Sequence, residues 1–348
     1  MTPASPGALA SLADGLNARL AALEPGEYAV ERAVPIAQFT TYRLGGPAAV
    51  LVRLRSLDAV RALAEVVGEH QPRVLVVGKG SNLLVADRGF DGVAVALEGD
   101  FATTTIDRDR GRVRAGGGVS LPTLARTTAA EGWSGLEFYV GIPGSVGGAV
   151  AMNAGGHGRE TRDVLIVADV FGLVGGAGRG SAADTGPESR PPRQPVKRPA
   201  DALDLGYRHS NIGSTDLVLA AELSVTPAPA GECREAIAEI VRWRREHQPG
   251  GSNGGSAFRN PPGDSAGRLI DSLGLKGMRV GGAIVSPKHA NFFQAEPGAT
   301  ADDVHALIDE VQRRVRDATG IDLVPELRMV GFDVDDERGD AEGRGGGA

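Results

Sequence analysis

The chain has 348 residues, is 41% hydrophobic and 4% aromatic, and sets 37 basic against 44 acidic residues for a net charge of −7. The acidic balance excludes a broad basic footprint for nucleic acid, and the length exceeds one ordinary core, so two or three domains are expected. Its single cysteine, Cys233, excludes an intrachain disulfide framework, and the six histidines show no H-E-x-x-H spacing, so no metal is expected.

The N-terminus has no basic-then-apolar leader pattern, and no run approaches the ~20 apolar residues that span a bilayer. The expectation is a cytoplasmic protein without membrane insertion. Leucines and alanines at helical spacing predict a helix over residues 7–23. Ala48–Leu54 alternates as a strand does, and Ser56 then stands as N-cap to a helix whose Val60, Leu63, Ala64 and Val67 share one face. Short strands follow at Val74–Val77, Leu83–Ala86 and Val93–Leu97, with further β pattern at Thr103–Ile106 and Val113–Ala115. Ser120 is placed as the cap of a helix ending at Gly132, and Val164–Phe171 and Leu217–Val225 read as strands.

Residues 175–204 interrupt this pattern with five prolines, several glycines and arginines, and no apolar period; they read as a disordered surface loop. Beyond Gly231, residues 232–246 predict an amphipathic helix. Thr300 and Asp303 form a capping box for a helix reaching Thr319, with Val304, Leu307, Ile308, Val311 and Val315 as its stripe. Short strands around Gly282–Val285, Ala290–Gln294 and Val324–Val330 complete a second α+β domain. The expected organisation is an N-terminal helix and strand over 1–39, one domain over 40–226, a second over 227–334, and a disordered tail over 335–348.

Three glycine-rich runs carry the chemistry. Val76–Val85 (VVGKGSNLLV) matches only G-x-G of the dinucleotide fingerprint; Leu83 replaces the third glycine, and a strand rather than a helix follows. Its alternatives are a plain hairpin turn or a nest of backbone N–H groups, with Ser81 and Asn82, that binds an anion. Tyr139–Gly156 packs six glycines and Pro143 into what reads as the start of a buried helix. Since glycine weakens a helix by roughly 1 kcal/mol relative to alanine, such a run implies close backbone approach, either to an anionic cofactor or to a neighbouring strand. Gly254–Pro261 (GGSAFRNP) sets Ser256 in a loop, but without G-x-S-x-G a serine hydrolase is disfavoured. Tyr207, Arg208 and Glu326 lie in or beside apolar strand patterns, where an unpaired charge is costly to bury.

In chain order, seven stretches resemble the UDP-N-acetylenolpyruvoylglucosamine reductase family, also called MurB. They are TTYRLGGPA (40–48), VVGKGSNLLVADRGFDG (76–92), GLEFYVGIPGSVGGAVAMNAGGHGRE (135–160), GYRHS (206–210), GGSAFRNPPGDSAGRLID (254–271), GLKGMRVGGAIVSPKHANFF (274–293) and PELRMVG (325–331). The resemblance implies an α+β FAD-binding fold of the vanillyl-alcohol-oxidase (PCMH) type, with two α+β subdomains and a C-terminal α+β substrate-binding domain. It implies noncovalent FAD with its pyrophosphate at Gly78, Lys79, Gly80, Ser81, Asn82 and Leu83. The flavin would meet Gly141, Pro143, Gly144, Ser145, Gly147, Gly148 and Asn153.

The implied reaction takes hydride from NADPH through FAD to the enolpyruvyl β-carbon of UDP-N-acetylglucosamine enolpyruvate. Arg208 would bind the substrate carboxylate, Glu326 would flank it, and Ser256 would deliver a proton to the α-carbon. Tyr207 and Asn260 would contact substrate, and His247 stands where the family places a phosphate-contacting lysine. Only a short connection separates Ser210 from the strand at Leu217, which points to the branch lacking a tyrosine-bearing flap. A monomer is expected. The competing readings are an oxygen-using flavin oxidase of the same fold and a non-catalytic nucleotide-binding module.

Overall fold

The computed structural model describes residues 6–174 and 193–332. In the first unit four strands bond in the order Tyr28–Pro35, Pro47–Leu54, Phe90–Leu97, Val74–Val76. The first pair is antiparallel and the next two are parallel. Parallel strands need a crossover, and α2 (Leu57–His70) supplies it between Pro47–Leu54 and Val74–Val76. The Ser56 hydroxyl accepts from Ala59 N at 3.2 Å, capping α2, and the predicted face of Val60, Leu63, Ala64 and Val67 is buried. Helix α1 (Pro6–Leu20) adds Leu12, Leu16 and Leu20 to the same core.

The second unit is an antiparallel sheet in the order Val196–Pro199, Leu165–Gly172, Asp216–Ser224, Arg112–Gly116, Thr104–Asp107. One face packs under α3 (Leu121–Ala130) and α4 (Val146–Met152). Ile237, Ile240 and Val241 of α5 (Ala230–His247) rest on that core, which therefore extends past residue 226. At its other end the sheet lends Phe171, Leu173, Leu217 and Leu219 to the first unit's core.

Part of the stretch read as a disordered loop is ordered. Val196–Pro199 is an edge strand on Leu165–Gly172, and Ala200–Leu203 is a 3-10 turn that buries Leu203. Proline is tolerated on an edge, so composition alone concealed this strand. Residues 175–192 of that stretch, and the tail from 333, lie outside the described residues.

The third unit orders four antiparallel strands as Ser252–Ser256, Phe292–Ala295, Ala283–Val285, Arg279–Val280. Helices α6 (Ala266–Ser272) and α7 (Ala301–Thr319) share one core with this sheet. Gly254–Ser256, expected in a loop, ends an edge strand, Ser252–Ser256, with a register shift between Asn253 and Ser256, the irregularity that glycines inside a strand commonly mark. The capping box of α7 is present, with Asp303 N donating to Thr300 Oγ1 and Thr300 N to Asp303 Oδ2, both at 3.0 Å.

Strand pairing and a helix cap are among the links that fasten the third unit to the first. Strand Arg328–Val330 pairs in parallel with Leu83–Val85. Asp87 accepts from Ala301 N at 3.1 Å and Asp302 N at 3.0 Å. These are two of the backbone donors that a helix start leaves without partners, and a carboxylate there also suits the helix dipole. Asp87→Ala is expected to lower stability by about 1 kcal/mol, the typical effect of losing a helix cap. The check is a lower urea midpoint at unchanged slope, with Asp87→Asn recovering part of the loss. An unchanged midpoint would show that this cap contributes nothing.

Candidate active site

The glycine loops of the first two units face each other. Residues 78–82 turn from Val74–Val76 into Leu83–Val85, and Gly80 holds φ +54°, where a Cβ would lie 2.2 Å from Phe39 O. Residues 141–145 lead into α4, whose Ser145 Oγ caps Gly148 N at 3.3 Å. A Cβ on Gly78 would meet that same Ser145 Oγ at 2.6 Å, so the two loops touch. Gly78, Lys79, Pro143 and Gly148 are exposed along this contact, Ser81 is half-buried, and Gly144 and Ser145 are buried behind it. Gly147 donates to Gly117 O at 2.8 Å, so it serves the helix–strand packing that was the alternative reading of this run. Leu83 puts its side chain into the first unit's second core cluster.

Beside this cradle, Thr41 N donates to Gly80 O at 3.3 Å, and the buried Thr41 Oγ1 has no hydrogen-bond partner among the described residues. Buried hydroxyls without partners are rare. A loop turning on a glycine at positive φ, an orphan hydroxyl next to it and a facing helix start together fit the phosphates and polar ring edge of a dinucleotide.

The second cluster joins all three units. Arg208 sits in a tight Gly206–His209 turn at φ +54°, a conformation that costs a non-glycine residue on the order of 1 kcal/mol and concentrates at functional sites. The Arg208 Nε is hydrogen-bonded to Glu326 Oε1, and its Nη2 donates to Gly155 O at 3.5 Å. The two side chains are only 22% and 11% exposed. Glu326 is itself held through its main chain: its N–H donates to Ala257 O at 2.8 Å, and Asn82 Nδ2 donates to its carbonyl at 3.0 Å. Ser256 immediately precedes Ala257 on that strand. Arg208 and Asn82, far apart in sequence, thus meet at Glu326, and Ser256 stands one residue before Ala257, which also bonds it.

Asn153 plays a different part from the flavin contact the resemblance implied. It is fully buried at the C-terminus of α4, and its Nδ2 donates to Glu160 Oε2 at 3.0 Å and Gly206 O at 2.9 Å. Its Oδ1 accepts from Arg162 N at 2.9 Å. With both amide hydrogens spent inside the protein, it positions the turn that carries Arg208. Asn260 is exposed, and its Oδ1 accepts from Ala266 N at 3.1 Å at the start of α6. Tyr207 is 49% exposed, with the Arg208 guanidinium 5.4 Å from its ring centre. His247 is exposed in the last turn of α5, its Nδ1 lying 2.8 Å from Trp243 O.

Residues that sequence reasoning passed over include Asp87, His157 and Trp243. An indole on the charged face of an amphipathic helix was the one available signal for Trp243. Nothing local marks Asp87, whose partners lie more than two hundred residues away. Among the described residues no group of three or more His, Cys, Asp or Glu side chains could hold a metal ion, and no helix is long and apolar enough to cross a membrane.

Two α+β units meeting at facing glycine loops, closed by a third α+β unit, define an FAD-dependent oxidoreductase. Residues 48–172 match the FAD binding domain family. Residues 247–330 match the C-terminal domain of UDP-N-acetylenolpyruvoylglucosamine reductase. A UDP-N-acetylenolpyruvoylglucosamine reductase of Synechococcus sp. (strain WH7803) is 42% identical over 311 residues, covering 88% of this chain and 95% of the relative. One from Acidiphilium cryptum (strain JF-5) is 40% identical over 300 residues, covering 86% and 90%. The crystal structure of the Thermus caldophilus enzyme (MurB) superposes with a TM-score of 0.71 at 35% identity, covering 87% of this chain and 100% of that one. The chain belongs to the UDP-N-acetylenolpyruvoylglucosamine reductase (MurB) family, and FAD is its cofactor.

Gly80→Ala forces a side chain against backbone in a left-handed conformation, at a cost of order 1–3 kcal/mol. The variant is expected to purify with most of its flavin lost, read as visible flavin absorbance relative to protein. Full retention of FAD would contradict the cradle assignment.

Proposed function

We propose that the chain reduces UDP-N-acetylglucosamine enolpyruvate to UDP-N-acetylmuramate with electrons from NADPH, a step of peptidoglycan precursor synthesis. The observation that carries this reading is the Arg208–Glu326 pair, formed between separate units and flanked by Ser256 and Asn82. FAD, when bound between the glycine loops, supplies the two-electron chemistry, taking hydride from NADPH and giving it to the enolpyruvyl β-carbon.

The protein's side chains do the remainder. Hydride arrival at the β-carbon drives the π electrons toward the α-carbon and its carboxylate, giving an enolate-like charge that needs preorganised donors. Arg208 offers a planar fork that matches a carboxylate bidentately, and its turn is held from behind by Asn153. Glu326 keeps that fork oriented before substrate arrives and lies beside the carboxylate afterwards. Ser256 Oγ–H donates its proton to the α-carbon, forming the new C–H bond, and regains one from solvent. Serine is a weak acid, so the step demands close approach and a strongly basic carbon. Gly78, Lys79, Gly80, Ser81 and Asn82 hold the pyrophosphate of FAD; Gly141, Pro143, Gly144, Ser145 and Gly148 line its ring. Tyr207 and Asn260 contact the substrate, and His247 faces its diphosphate. The chain works in the cytoplasm as a monomer.

The test separates the half-reactions. In Ser256→Ala, flavin reduction by NADPH is expected to stay within about threefold of the parent, while reoxidation by the enolpyruvyl substrate slows by roughly 10²–10⁴-fold, the usual span for a lost general acid. Equal slowing of both halves would reject the proton-donor role.

A further inference from the structure

We propose that the ring cluster at the end of α5 seats the planar base of the nucleotide substrate, with the Trp243 indole as its stacking platform. The inference rests on the sugar-nucleotide reading above and adds to it a residue that determines affinity for the uracil end.

The chain's other indole, Trp133, is buried in the second unit's core, whereas Trp243 is 45% exposed. Indole is a large flat surface with a polar N–H, a side chain enriched where one end meets a partner. Its neighbours are rings. His247 stacks on it with centroids 4.6 Å apart and planes 15° from parallel, and His157 meets it at 5.2 Å and 85°. Burial and then the nearby Arg244 hold the His157 imidazole below its usual pKa.

The cluster adjoins the reaction site. His157, at φ +55°, follows Gly155 and Gly156, and Gly155 O accepts from Arg208 Nη2. A Cβ on Gly141 would lie 3.1 Å from His157 Nε2 and 3.3 Å from Arg244 Cδ, so the same rings also border the loop that lines the flavin. Positive charge is concentrated beside the rings. Arg244 and Arg245 share the last turn of α5 with His247, and Lys288 Nζ donates to Arg245 O. Stacking rings next to a cationic strip, two residues along the chain from the Gly155 that Arg208 contacts, suit a nucleoside diphosphate whose far end carries the reacting carboxylate. Base–aromatic stacking contributes about 1–3 kcal/mol per base by alanine substitution.

The test uses the FAD-loaded enzyme and UDP alone. UDP is expected to quench the fluorescence of Trp243. Trp243→Ala should weaken UDP binding by about 5- to 150-fold, which is that stacking range at tenfold per 1.4 kcal/mol, and Trp243→Phe should recover most of it. Inorganic pyrophosphate, which has no base, should lose far less affinity, and the substrate KM should rise more than kcat falls. Parental UDP affinity in Trp243→Ala overturns the proposal, as does equal weakening of UDP and pyrophosphate. A rise confined to the KM for NADPH overturns it too, by giving the platform to the cosubstrate. A parent enzyme that neither binds UDP nor is reoxidised by the enolpyruvyl sugar would refute the proposed function itself; normal turnover with an indifferent Trp243→Ala refutes only the stacking role.

Discussion

Arg208 and Glu326 come from different units, and their partly buried contact fixes how the molecule closes. A charge removed from water needs a partner, and deleting one member of such a pair strands the other. The guanidinium has two protein acceptors, Glu326 Oε1 and Gly155 O, so part of its fork remains for an incoming carboxylate. Glu326 in turn is pinned through its backbone to Ala257 of the third unit and to Asn82 of the first. Contacts of Glu326 therefore tie the turn of Arg208, the segment following Ser256 and the glycine loop at Asn82 to one another.

The surrounding architecture serves that arrangement. Asn153 ends α4 in a left-handed conformation and spends its side chain holding Gly206, which fixes the strained turn of Arg208. The strand Leu83–Val85 that leaves the cofactor loop pairs with Arg328–Val330, two residues beyond Glu326. Asp87, just past that strand, caps the long helix of the third unit. Loop, strand and cap form a short continuous stretch, so the glycine loop and the third unit are held in place by the same segment. Backbone strain at Arg208 and its partly buried charge pair with Glu326 are departures from ideal local structure that fall where chemistry is proposed.

Legibility from sequence followed the range of the interactions. Helices α2 and α7 were readable because periodicity and caps are local: Ser56 and the Thr300–Asp303 box lie within a turn of what they cap. Tyr28–Pro35 is a strand within residues 1–39, where one was expected, but its bounds are not legible because Glu31 and Arg32 both face water on a strand at the sheet edge. Val196–Pro199 and Ser252–Ser256 are edge strands defined by their partners, not by alternation. Helix α6 has only seven residues, too short to form without the core it packs on. At the site, the glycine runs announced close backbone approach, but the roles of Arg208, Ser256 and Glu326 came from family resemblance. No local pattern shows that side chains so far apart in sequence will touch. The same limit explains why Asn153 was assigned to the flavin: its amide suits a ligand in isolation, and only the fold shows that its hydrogen bonds are already committed.

The most direct measurement is a crystal structure of the FAD-loaded enzyme with UDP-N-acetylglucosamine enolpyruvate bound. The account predicts the substrate carboxylate on the Arg208 guanidinium beside Glu326, with Ser256 Oγ about 3–3.5 Å from the α-carbon, the separation of a reactive conformer. A carboxylate bound away from Arg208, or Ser256 directed away from that carbon, would contradict it.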